Sequence, residues 1–240
     1  MKNYYLFFAL LLLPSFISAQ TQKVDPVAIQ ILDKVHDVIG DLESCTYNLS
    51  SSQDVIDPDY GLIKIYNENE VIMKGPDKMI VIIDGNKGKK GFWYNGEQVI
   101  YYSYSENNFA ILEARDNIIA TIDEIHNNYG IDFPAADFFY PSATDNILES
   151  FDTIRYLGKK MIDNKECFHI KASNKIMDVQ FWISNDAFNL PKKYLIVYKN
   201  ENNKQYEATF NNWVLNPELP NSVFKFTPPA KAVKIKMLAK

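Results

Sequence analysis

The sequence predicts an α+β fold in which a strongly curved antiparallel sheet carries helices against its concave face. Two runs of strand-like alternation, 44–104 and 156–214, are separated by a helical stretch, and a further helix precedes the first run. Apolar residues make up 47% of the chain and aromatic residues 14%, enough to fill the core of one large domain.

Lys2 gives the chain a positive start, Tyr4 to Leu13 form an unbroken apolar run, and Ile17-Ser18-Ala19 offers a cut site. The run of roughly 10 residues falls well short of the roughly 20 that cross a bilayer as a helix. Residues 1–19 are therefore expected to be a signal peptide cleaved after Ala19. Residues 20–240 are expected to form one exported domain with no transmembrane segment. No cysteine follows the cut, so a lipid-anchored start is not expected.

Asp25-Pro26 reads as an N-cap followed by proline in the first helical position, and Val27, Ile31, Val35 and Val38 recur at helical spacing up to Gly40. From Ser44 the period becomes two, with Cys45, Tyr47 and Leu49 on one face. Strands are expected at 62–66, 71–74 and 78–84, the last an apolar run suited to burial on both faces. Asn95-Gly96 marks a hairpin between 91–94 and 97–104, because both turn residues tolerate positive φ. A two-residue loop there sets Tyr94 opposite Glu97, Trp93 opposite Gln98 and Phe92 opposite Val99. Phe92, Tyr94 and Tyr101 then share one face, and Trp93, Tyr102 and Tyr104 the other. A sheet with one wet face does not carry aromatics on both sides, so the second face is covered or lines a cavity.

Ile118, Ile119, Ile122, Ile125 and Tyr129 form the next helical stripe, with Asp116 as candidate N-cap and Gly130 as stop. A short apolar segment from Phe133 to Phe139 and a third helix from Thr144 follow. Strands resume at 156–161, 166–172, 175–184, 192–199 and 205–214, with a turn at Asp163-Asn164. The tail from Asn216 to Pro229 is too rich in proline for an interior strand and is expected at an edge.

Composition narrows function. The net charge of −5 is spread along the chain and Arg115 and Arg155 are the only arginines, so nucleic acid is not an expected partner. Cys45 and Cys167 could pair in an oxidising compartment or stand as two separate small apolar residues. His36 and His126 read as surface residues, and His169 shares a strand face with Cys167. Structural zinc normally needs four ligands, and no matching third and fourth are spaced to join that pair, so no metal and no cofactor are expected. Among the carboxylates Asp57, Asp59, Asp123, Glu124, Asp132 and Asp137, the Asp57-Pro58-Asp59 group reads as turn chemistry. The basic loop from Asp84 to Gly91 lacks the spacing of a phosphate-binding loop and reads as a hairpin tip. No catalytic motif stands out, and no enzymatic activity is expected.

A family resemblance adds to this. Trp182-Ile183-Ser184, Leu190-Pro191-Lys192-Lys193, Phe210-Asn211-Asn212-Trp213 and Leu219 through Phe226-Thr227-Pro228-Pro229 resemble the end of the periplasmic lipoprotein-carrier superfamily of the LolA and LolB type. Phe92 to Glu97 and Tyr129 to Asp137 resemble a related group of predicted periplasmic proteins of unknown function. The resemblance implies an unclosed antiparallel barrel of about eleven strands, with helices forming a lid over a hydrophobic cavity. It implies a periplasmic carrier or binding protein for a lipid, a lipoprotein acyl chain or another hydrophobic ligand, with an acylated protein as a possible partner. The expected cavity walls are Tyr47, Leu49, Met79, Val81, Phe92, Val99, Tyr101 and Phe181, with Ile118 and Ile122 from the lid. The alternative is a non-catalytic module with a filled cavity that binds an envelope protein.

Overall fold

The computed structural model describes residues 23–133 and 135–240, so the leader and its cut site lie outside the described residues. Helix α1, Pro26–Gly40, starts as expected, with the Asp25 carboxylate accepting from the Val27 amide at 2.9 Å. It buries Ala28, Ile31, Leu32, Val35 and Ile39 against the sheet. Six strands follow: β1 Ser44–Asp57, β2 Gly61–Lys74, β3 Lys78–Gly85, β4 Lys90–Tyr94, β5 Gln98–Ser103 and β6 Asn108–Glu113. The insertion contains α2, Ile118–Tyr129, a 3-10 turn at Ala136–Phe139 and α3, Ala143–Ser150. Five strands complete the meander: β7 Thr153–Ile162, β8 Lys165–Ser173, β9 Met177–Ser184, β10 Pro191–Tyr198 and β11 Lys204–Leu215, and β12 Val233–Lys234 lies in the tail.

The strands make one sheet in the order β12-β6-β5-β4-β3-β2-β1-β11-β10-β9-β8-β7. All neighbours are antiparallel except β12 on β6. The terminal strands β12 and β7 do not pair with each other, so the curved sheet stays open. The two halves meet where β1 pairs with β11, Leu49 opposite Phe210 and Gln53 opposite Tyr206. At the far edge the chain entering α1 bonds to β7, the Asp25 amide donating to the Ile154 carbonyl at 2.9 Å.

Four local expectations are revised. The segments 62–66 and 71–74 are one 14-residue strand, β2. The Asn69 amide donates to the Leu49 carbonyl at 2.8 Å, which accommodates this polar residue within the sheet. The loop at Asn95 is longer than two residues: the Asn95 side chain accepts from the Glu97 and Gln98 amides at 3.0 and 3.1 Å, and Tyr94 pairs with Val99. The register therefore moves by two, an even shift that leaves every side chain on its expected face. The α2 cap is Asn117, which accepts from the Ala120 amide at 2.9 Å, in place of Asp116. Finally, His36 is half-buried on α1.

The expected turn at Asp163-Asn164 is present, both residues at positive φ between Ile162 and its partner Lys165. The second aromatic face is covered by the chain itself. After β11 the tail crosses the convex side, where Phe226 lies 4.8 Å from Trp93, 5.4 Å from Tyr102 and 6.1 Å from Phe109, ring to ring. Phe224 is buried beside it, and β12 then pairs at the β6 edge.

Candidate functional site

The concave face divides into a plugged part and a hollow part. In the plugged part the insertion packs its own aromatics onto the sheet. Phe133 meets Phe92 edge-on at 5.1 Å, Phe138 meets Phe181 at 6.0 Å and Phe210 at 5.5 Å, and Phe139 stacks on Tyr47 at 6.0 Å. Trp213 adds a contact to Tyr47 at 4.4 Å.

This arrangement decides where the expected walls fall. Tyr47, Leu49, Met79, Val81, Phe92, Val99, Ile118 and Phe181 are buried in the main core, and Tyr101 packs partly buried against it, its ring 5.4 Å from Phe92. Ile122 alone of the ten borders the hollow. The phenylalanines of the lid stand against Phe92, Phe181 and Tyr47.

The hollow is half-open, has a volume of about 630 Å³, and lies beside the plug, between the seam strands and the insertion. That volume falls within the roughly 300–1,000 Å³ of small-molecule sites. Its apolar surface comes from Ile65 and Ile83 on the sheet, Ile122 and Phe133 from the insertion, and Ile196 on β10. Its polar surface is as prominent. Asn67 and Asn69 face it from β2, Tyr194, Tyr198 and Tyr206 from β10 and β11, and Asp123, His126, Asp132, Asp137 and Tyr140 from the insertion. Lys87 and Lys90 border it from the β3–β4 connection and the start of β4.

Several of these groups are already engaged. The Tyr140 hydroxyl donates to Asp123 Oδ1 at 2.5 Å, and His126 Nδ1 lies 2.7 Å from Asp132 Oδ1. Tyr194 packs on Tyr206 at 5.7 Å, and burial, then the charge of Tyr206, pushes its phenol well above the ordinary value. Burial, then Asp132, raises the Asp137 carboxyl. Asp137 is open to solvent but sits inside the concavity, where surrounding protein displaces part of its hydration. Burial, then Lys87, lowers the Lys90 ammonium.

Other candidate groups lie elsewhere. Cys45 and Cys167 are both buried free thiols. His169 stacks on Trp182 at 4.6 Å and bonds Gln180 at 2.9 Å. Asp57 caps its own turn, accepting from the Asp59 and Tyr60 amides at 2.9 and 3.0 Å. Glu124 pairs with Arg115 at 2.7 Å. Among the described residues there is no cluster of metal-ligating side chains, and no helix is long and apolar enough to cross a membrane.

An open, curved antiparallel sheet with a helical lid and a half-open hollow at its seam defines an α+β half-barrel. The chain belongs to the family described as predicted periplasmic protein (DUF2092), which matches residues 28–238. No curated protein matches it in sequence. Among solved structures it is similar to the lipoprotein LppX of Mycobacterium tuberculosis, with 12% identity over 82% of this chain and 98% of that one and a TM-score of 0.51. An uncharacterized conserved protein from Thermus thermophilus gives 14% identity over 88% and 99%, with a TM-score of 0.49. A LolA superfamily protein from Nitrosomonas europaea gives 13% over 83% and 97%, with a TM-score of 0.38. At these identities the likeness concerns fold alone.

Proposed function

We propose that the protein is a periplasmic carrier or binding protein for a hydrophobic ligand, a lipid or the acyl chain of a lipoprotein, and that it has no catalytic role. The observation that carries this is the half-open hollow of about 630 Å³ with Ile65, Ile83, Ile122, Phe133 and Ile196 in its walls. Each methylene transferred from water into such a site contributes about 0.8 kcal/mol, so a short length of hydrocarbon suffices for useful affinity. The family's description as periplasmic supports the compartment, as does the leader, with cleavage after Ala19 releasing residues 20–240 as one domain.

A second reading is a filled module that docks on an envelope protein. It is favoured by the aromatic plug, and by the β1–β2 ribbon beyond Gln53 and Asn67. There the strands pair only with each other and leave Ile56 and Leu62 opposite one another, 60% and 61% exposed. Native mass spectrometry of protein purified from its own cell envelope separates the two readings. Co-purified lipid is the carrier's expected result, and repeated lipid-free spectra from freshly prepared protein would defeat it.

A further inference from the structure

The hollow carries charge of both signs, and the signs stand on different walls. Lys87 and Lys90 come from the β3–β4 connection and the start of β4, whereas Asp123, Asp132 and Asp137 come from the insertion. Asp123 is bonded by Tyr140 and Asp132 by His126. Lys87, Lys90 and Asp137 form no salt bridge among the described residues. Both walls are therefore self-repelling: the carboxyl of Asp137 is raised and the ammonium of Lys90 lowered, each by burial first and a like-charged neighbour second.

Deeper in, Asn69 borders the same hollow and is only 2% exposed. Its Nδ2 donates to the Leu49 carbonyl at 2.8 Å, which fixes the amide so that Oδ1 is the remaining acceptor. That oxygen has no hydrogen-bond partner. A buried acceptor left unpaired is costly, and a hydroxyl or amide of a bound molecule would satisfy it.

The geometry points to a zwitterionic amphiphile as the occupant of the hollow. Its anionic group sits against Lys87 and Lys90, its ammonium against Asp137 and Asp132, a hydroxyl or amide at the head–tail junction on Asn69, and its tail on Ile83, Ile122 and Phe133. This deepens the carrier reading and rests on it. An anionic amphiphile meets repulsion from the insertion, a cationic one meets it from the two lysines, and a neutral one leaves both walls unpaired.

Calorimetric titration with four probes that share a palmitoyl or hexadecyl tail, each below its micelle concentration, tests the assignment. The probes are palmitoyl lysophosphatidylethanolamine, palmitate, hexadecylamine and monopalmitoylglycerol. The zwitterion is expected to bind about tenfold or more tighter than each of the others. Lys87→Gln with Lys90→Gln, and separately Asp137→Asn, are expected to erase that advantage by weakening lysophosphatidylethanolamine binding at least about tenfold. Four probes within about threefold of one another would overturn the headgroup assignment and leave the carrier reading standing. Failure of all four to bind would overturn both.

Discussion

Filling the hollow should weaken ligand binding strongly without unfolding the protein. Ala136 lies on the 3-10 turn Ala136–Phe139 and borders the hollow. Ala136 packs only partly buried against the core, so in Ala136→Trp the indole is expected to enter the hollow, in contrast to Phe138, which is buried against Phe181 and Phe210. Aromatic side chains of this size carry roughly 150–250 Å² of surface, so the indole is expected to displace about 100 Å² of ligand contact. At about 25 cal/mol per Å² this weakens a bound tail by about 2.5 kcal/mol, roughly 70-fold in affinity. Titration with monopalmitoylglycerol measures the loss. Leu157→Trp, placed on the exposed part of β7, should bind as the unmodified protein does. Thermal unfolding run in parallel should place both variants within a few degrees of the parent. Undiminished binding by a folded Ala136→Trp protein would refute the assignment of the tail to this hollow.

Three further outcomes follow from the geometry. Phe224→Ala, at a ring 1% exposed in the turn that packs on β3, should cost about 3–5 kcal/mol in chemical denaturation, since it leaves a cavity there. Burial alone would raise the Asp178 carboxyl, but bonds from Lys199, Ser173 and Lys171 outweigh it and hold it at about 2, against 3.8 for an ordinary aspartate. Its side chain is 17% exposed, so this depressed value contributes about 2 kcal/mol of stability, present above the ordinary value and lost as pH falls through about 2. Asp178→Asn should remove that amount at neutral pH and flatten the acid limb of the unfolding curve. Burial pushes the Cys45 thiol up to about 12, so at mildly alkaline pH it should resist alkylation in the folded protein and react on denaturation, read as a mass shift.

Fold was legible because its signals are local. Period-two alternation at Cys45, Tyr47 and Leu49, the cap at Asp25-Pro26, the turn at Asp163-Asn164 and the stop at Gly130 each act over a few residues, and each recurs in the structure. The hairpin register was not legible, because Asn95 makes side-chain bonds to two amides and lengthens the loop, which a dipeptide rule does not weigh. Aromatics on both faces of β4 and β5 correctly announced two covered surfaces. Which cover went where depended on contacts across long separations, Phe226 on Trp93 and Phe133 on Phe92.

The position of the hollow follows from a change of polarity along inward-facing positions that carries across the seam. On β1 the inward series runs Tyr47, Leu49, Ser51, Gln53; on β2 it runs Val71, Asn69, Asn67, Ile65, paired with the first in register. On β11 it runs Phe210, Ala208, Tyr206. The apolar start of each series lies under Phe133, Phe138 and the rest of the main core, because fully apolar positions are best satisfied by close-packed protein. The mixed end of each borders the hollow, where amides, hydroxyls and carboxylates keep water or the polar part of a ligand as partner. A search for the greasiest inward residues therefore finds the plug. A site for an amphiphile lies one step further along the same strands, where grease gives way to hydrogen-bonding groups and Ile65, Ile83 and Ile122 remain to hold a tail.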